Sequence, residues 1–237
     1  MMATALEERV PPLAAGDKLT REEFLRRWEA QPQIKNAELL GGIVFMSAPV
    51  SVEHGDTDGD VGGWLWTYKA ATPGTACGHN TTSFLLDDVP QPDLNLRILP
   101  EYGGGSWVED RYLHGIPELL AEIARSSASY DLHVKLELYQ AVKVPEYLVI
   151  LLFEREIRWH VLVNGRYQLL PPDPDGLWRS RMFPGFGWTA RRSWPVTCNR
   201  SWPAFRTACA RLNMHSSLPS WPRATRPAAS ADPPRFS

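Results

Sequence analysis

The chain is poor in the features that announce a function outright. Its three cysteines, Cys77, Cys198 and Cys209, have no metal-site spacing. That excludes a zinc ribbon and a disulfide framework and leaves reduced, stray thiols. No run of about 18 apolar residues occurs, so no membrane-spanning helix is expected. The first residues carry Glu7 and Glu8 and lack an apolar segment of the secretory type, which points to a cytoplasmic location. Gly103-Gly104-Gly105 has neither the dinucleotide nor the Walker spacing and opens no clear helix, so it reads as a loop beside a substrate groove. A basic surplus is missing too: the formal charge is −2. Composition by itself therefore does not advertise a nucleic-acid surface.

The charge is unevenly spread. Residues 191–237 hold eight Arg, no Lys, one Asp and no Glu, about +7, which leaves about −9 on the rest. Seven Pro and seven Ser share that tail, with no helical or strand period. Its composition reads as disordered or frame-altered sequence. Residues 1–18 read as a flexible leader. Between them, residues 19–190 suit one α/β domain, with 43% hydrophobic and 22% charged residues over the whole chain.

The domain is organised around Pro117–Tyr147. Pro117–Ala124 is an apolar run too short for a helix and reads as a buried strand. Its one internal acid is Glu122. Period-2 alternation puts Glu122 on the face of Leu120 and Ala124, opposite Leu119, Ala121 and Ile123. A carboxylate there is costly unless a cation or donor meets it. After a Ser-rich turn, Asp131 and Lys135 stand four apart on a short helix. Lys135 and Tyr139, one turn apart, can both point back at the strand end carrying Glu122. A second acid comes at Pro92-Asp93, where Leu94, Leu96 and Ile98 alternate with Asp93, Asn95 and Arg97. Two acids at strand ends with a Lys on the next helix suggest a metal site.

The flanking elements read as follows. Thr20-Arg-Glu-Glu23 is a capping box for a helix near 21–30. Ala37–Ala48 is a hairpin broken at Gly41-Gly42, with Glu38 in its first strand. His54–Ala70 is a helix weakened by four glycines. Its acids, with His54, read as a solvated helix start. Thr81–Asp87 and Pro92–Leu99 read as strands, and 100–116 as loop. Asn164-Gly165 joins Glu156–Val163 to Arg166–Leu170 as a type I′ hairpin. Met182–Trp188 reads as an apolar segment closing on the sheet edge.

Pro92-Asp93, PELLAEIA with Glu122, the Ser-rich turn, Asp131, Lys135, Tyr139 and VPEY together resemble the Uma-type restriction endonuclease family, within the PD-(D/E)xK nucleases. The resemblance runs from about Thr20 to about Trp188 and takes in Glu38 and His54. It implies a restriction-endonuclease-like fold: a mixed central sheet flanked by helices, with a β-hairpin extension. It also implies a homodimer that cleaves DNA with Mg²⁺ or Mn²⁺. On it, Asp93, Glu122 and the Ala124 carbonyl hold the metal, and Lys135 assists the attacking water. Glu38, His54, Asp131 and Tyr139 support them. One departure is plain: the superfamily Lys position is Ala124 here, and Lys135 on the following helix takes its place.

Residue by residue, blander readings stand beside this one. Asp93 can cap a turn, Glu122–Lys135 can be a structural ion pair, and Asp131–Lys135 a solvated helix pair. A fold that keeps the shape and binds DNA or protein without chemistry is the alternative to an enzyme.

Overall fold

The computed structural model describes residues 10–47, 49–124 and 131–189. The tail from 191 onward lies outside the described residues. The second half of the expected leader is attached: Leu13 is buried, the Gly16 amide donates to Val44 and the Leu19 amide to Gly42.

Helix α1, Arg21–Glu29, starts as the capping box requires, with the Thr20 hydroxyl accepting from the Glu23 amide. It buries Phe24, whose ring meets Trp28 at 5.3 Å. Strands β1 (Ala37–Leu40) and β2 (Ile43–Met46) form the expected hairpin. Gly41 and Gly42, at φ 58° and 74°, take the two left-handed positions of its turn. The hairpin docks on the domain through reciprocal bonds between Leu39 and Val89. Phe24, Leu39, Val44 and Val89 make one small core with Leu13.

A six-stranded mixed sheet is the frame. Its order is β11 (Arg166–Leu169), β10 (Glu156–Val163), β9 (Glu146–Leu151), β8 (Leu119–Ala124), β5 (Leu94–Ile98) and β3 (Thr75–His79). Only β8 and β9 run parallel. Both are buried along their whole length, which is why they read as continuous apolar runs. Helix α2 (Val52–Ala71) covers one face with Val61, Trp64, Leu65 and Tyr68, against Leu94, Leu96, Leu119, Ala121 and Ile123. The other face carries helix α3 (Leu136–Ala141), with Tyr139 packed among Leu120, Ala124 and Tyr147. The α3 helix ends as Lys143 turns left-handed at φ 67°, two residues before Pro145. The glycines of α2 cost up to ~1 kcal/mol each relative to Ala. Tertiary packing carries that helix: Trp64 stacks on Phe186 at 3.9 Å, and Trp159 meets it edge-on.

Several expectations needed correction. Thr75–His79 is a strand between β5 and solvent, with no signal in TACGH because its glycine and small residues lack β character. The expected Thr81–Asp87 strand shrinks to β4, Ser83–Phe84. It pairs with β7 (Tyr112–Gly115), not with β5. The 100–116 loop contains a second hairpin, β6 (Ser106–Glu109) and β7. Asp110 and Arg111 both adopt positive φ in its turn, a pair without the usual Asn-Gly signature. The closing segment lies on the α2 face: Phe183 and Phe186 are buried there, between β12 (Leu177–Arg179) and β13 (Gly187–Thr189). No helix among the described residues is long and apolar enough to cross a membrane.

His160 on β10 sits between the Tyr147 and Tyr167 rings with its Nε2 buried and unpartnered. Burial, with Arg158 nearby, lowers its pKa from 6.5 to about 4. The unfolded chain therefore takes up this proton first, and stability falls as pH drops from about 6.5 to about 4. His160→Phe should remove on the order of 2 kcal/mol of the loss between about pH 7 and about pH 4.5. Urea unfolding at both pH values measures it; an unchanged loss contradicts the assignment.

Candidate active site

Glu122 lies in the middle of β8, on the α3 face, where the alternation of its neighbours puts it. It is 3% exposed. Two side chains from the helical segment meet it: Lys135 Nζ donates to Oε1 at 2.8 Å and Tyr139 OH to the same oxygen at 3.2 Å. Lys135 is 4% exposed, so an ion pair is being held largely out of water. It closes a single π-helical turn, Asp131–Lys135, that leads into α3. Such turns are uncommon and re-aim the residues they end on. The Asp131 side chain lies outside the described residues, so its expected pairing with Lys135 does too.

Glu38 approaches from the hairpin. Its Oε1 lies 3.0 Å from Lys135 Nζ and accepts the Gln91 amide at 2.7 Å. The Leu39–Val89 bridge sets this distance, because it clamps β1 alongside the chain leading to Asp93. Lys135 thus joins two carboxylates from separate parts of the fold.

Asp93 stands one residue before β5. Leu94 pairs with Ala121, so the next step of that antiparallel register puts Asp93 across from Glu122. Its Oδ2 accepts the Ile123 amide at 2.7 Å, a side chain finishing the ladder where the strand begins. His54 Nε2 lies 3.5 Å from the same oxygen. His54 follows the α2 cap, its amide bonded to the Ser51 hydroxyl. The Asp93 carboxylate beside it raises the His54 pKa above its usual value, against the effect of burial. The Ala124 carbonyl accepts the Leu152 amide at 2.9 Å, so the strand ladder uses one of its lone pairs.

The sequence reading missed one part of this neighbourhood. The α2 acids, taken as solvated, include a half-buried Asp58 whose Oδ2 lies 3.3 Å from His79 Nδ1. Burial is the main reason its carboxyl titrates above the usual range. His79 lies on the strand that had no sequence signal, so the pair could not be found.

Two other buried acids are held differently. Glu118 accepts the Ile98 and Gly105 amides. Glu146 accepts the Arg181 and Met182 amides, the Ser180 hydroxyl and the Trp159 indole. Backbone donors make these fixed structural clamps. The Lys and Tyr on Glu122 are ionisable.

The fold agrees with comparison to known proteins. A family profile described as "Putative restriction endonuclease", Uma2, matches residues 21–191. The chain belongs to this Uma2 family. Its architecture is similar to the crystal structure of a "putative nuclease belonging to DUF820" from Anabaena variabilis ATCC 29413. That match has a TM-score of 0.51 and 14% identity, over 69% of this chain and 90% of the other. No curated protein matches. The nuclease-like fold and the family support a nuclease.

Removing the ammonium leaves Glu122 and Glu38 as buried charges facing each other's field. Lys135→Met should therefore destabilise the fold by about 3 kcal/mol or more, and adding Glu122→Gln should recover part of it. Urea midpoints of the three proteins decide this; a Lys135→Met midpoint equal to wild type contradicts it.

Proposed function

We propose that the protein is a metal-dependent endonuclease that hydrolyses DNA phosphodiester bonds, with Asp93 and Glu122 as the metal ligands. The observation that carries this reading is their register: continued one step past the Leu94–Ala121 pair, it brings Asp93, just before β5, opposite Glu122 in β8, which holds Lys135.

The donor set fits magnesium or manganese. Both ligands are carboxylates, the hard oxygen donors those ions prefer. Among the described residues no group of three or more His, Cys, Asp or Glu is gathered closely enough to enclose an ion. Magnesium ordinarily takes one or two carboxylates and completes its shell with water and substrate phosphate, so two acids are the appropriate number. The Ala124 carbonyl is a further oxygen ligand in this reading, through the lone pair its ladder bond leaves. When bound, the ion polarises the phosphate and lowers the pKa of the attacking water.

The chain's own groups do the rest. The Tyr139 hydroxyl fixes one oxygen of Glu122. Lys135, poised between Glu122 and Glu38, orients the attacking water and meets charge as it develops at phosphorus. Glu38 holds the ammonium from the hairpin side, and Asp131 is a further supporting acid, as the family resemblance implies. In this reading two copies of the chain act together, one site per DNA strand.

Supercoiled plasmid incubated with Mg²⁺ or Mn²⁺ tests the reading. Wild type should nick or linearise it, and Asp93→Ala and Glu122→Ala should each lose at least ~100-fold in rate, the loss of one well-placed electrostatic group. Chelation should abolish cleavage. Cleavage that survives both substitutions would overturn the assignment of the ligands.

A further inference from the structure

A polar chain runs behind Asp93, on the side away from Lys135. It begins with Asp93 Oδ2 and His54 Nε2, 3.5 Å apart. It resumes one helical turn along α2, at Asp58, four residues after His54 on the same face. It ends with Asp58 Oδ2 and His79 Nδ1, 3.3 Å apart. Acid and imidazole alternate throughout. His54 Nδ1 and Asp58 Oδ1 are both buried and have no hydrogen-bond partner.

The backbone makes room for this chain. A Cβ at Gly62 would lie 2.4 Å from both Cε1 and Nε2 of His79. Only glycine in the middle of α2 lets the His79 ring lie against the helix beside Asp58. A helix interior is a costly place for glycine, so the arrangement favours the histidine over helix strength.

Capping does not account for His54. The α2 cap is the Ser51 hydroxyl, not the imidazole. A buried ring nitrogen without a partner disfavours the fold, so a purely structural histidine is poorly served here. The ring lies beside the Ile123 backbone and meets the carboxylate oxygen that already accepts the Ile123 amide. Both of these contacts fall on Oδ2 and neither engages Oδ1.

We infer that His54, backed by Asp58 and His79, is a positioning residue for Asp93: it holds Oδ2 so that Oδ1 is presented to a divalent cation. This rests on the reading of Asp93 as a metal ligand. Partners that orient a ligating carboxylate typically change metal affinity by about 10- to 100-fold when removed. In this inference His54 acts through Asp93.

The test is Mn²⁺ affinity of the full chain without DNA, by calorimetry or by loss of the free-ion EPR signal. The proteins are wild type, Asp93→Ala, His54→Ala, His54→Gln and Asp58→Asn. His54→Ala should weaken binding about 10-fold or more. His54→Gln, whose amide reaches the same oxygen, should stay within about threefold of wild type, and Asp58→Asn should fall between the two. Urea midpoints of all the His54 and Asp58 variants should stay near wild type. Equal Mn²⁺ affinity in wild type, His54→Ala and Asp58→Asn, with binding lost in Asp93→Ala, overturns the positioning role and leaves the ligand intact. Equal loss in His54→Ala and His54→Gln also overturns it. Affinity unchanged in Asp93→Ala overturns both readings.

Discussion

A carboxylate in the middle of a buried strand has to be neutralised from somewhere, and much of the arrangement on one sheet face follows from that. Glu122 cannot use its own strand, whose amides and carbonyls are spent on β5 and β9. Its charge is met by Lys135 and its oxygen by Tyr139, so α3 must cross this face with the turn before it aimed inward. Lys135 in turn brings in Glu38, and Glu38 needs the hairpin clamped by Leu39 and Val89. Desolvating an ion pair rarely stabilises a protein compared with apolar residues of the same size. A nearly unexposed ion pair against the centre of a sheet is therefore weak evidence of stabilisation, and such perturbed pairs cluster at functional sites.

The two sides of the sheet divide the work. Away from His54 and Asp58, the α2 face is aromatic, with Trp64, Trp159, Phe183 and Phe186 locking α2 and the closing hairpin to the strands. The α3 face carries Glu122 and its ammonium partner. Rigid packing on one side helps hold the ionisable groups on the other in fixed positions. Glu118 and Glu146 show what a structural acid looks like in the same fold: each is wrapped by backbone amides that cannot leave.

Much of this was legible in the sequence. PELLAEIA gave a buried strand with an inward acid, and alternation put Glu122 on the correct face. The Lys135 and Tyr139 spacing turned both toward it, and Asn164-Gly165 marked its hairpin. What failed did so for physical reasons. Thr75–His79 has little β propensity and is a strand because β5 offers it an edge. The turn at Asp110-Arg111 uses residues that seldom take positive φ. The Asp58–His79 pair joins a helix to that unreadable strand, so tertiary contact alone creates it. The helix acids looked solvated because periodicity reports which residues share a face, not what another strand puts against them.

The most direct test of the account is a crystal of the full chain soaked in Mn²⁺ and measured for anomalous scattering. The account requires a peak next to the carboxylates of Asp93 and Glu122. A crystal that takes up manganese elsewhere, or leaves those two carboxylates as they stand with Lys135 on Glu122, would contradict it.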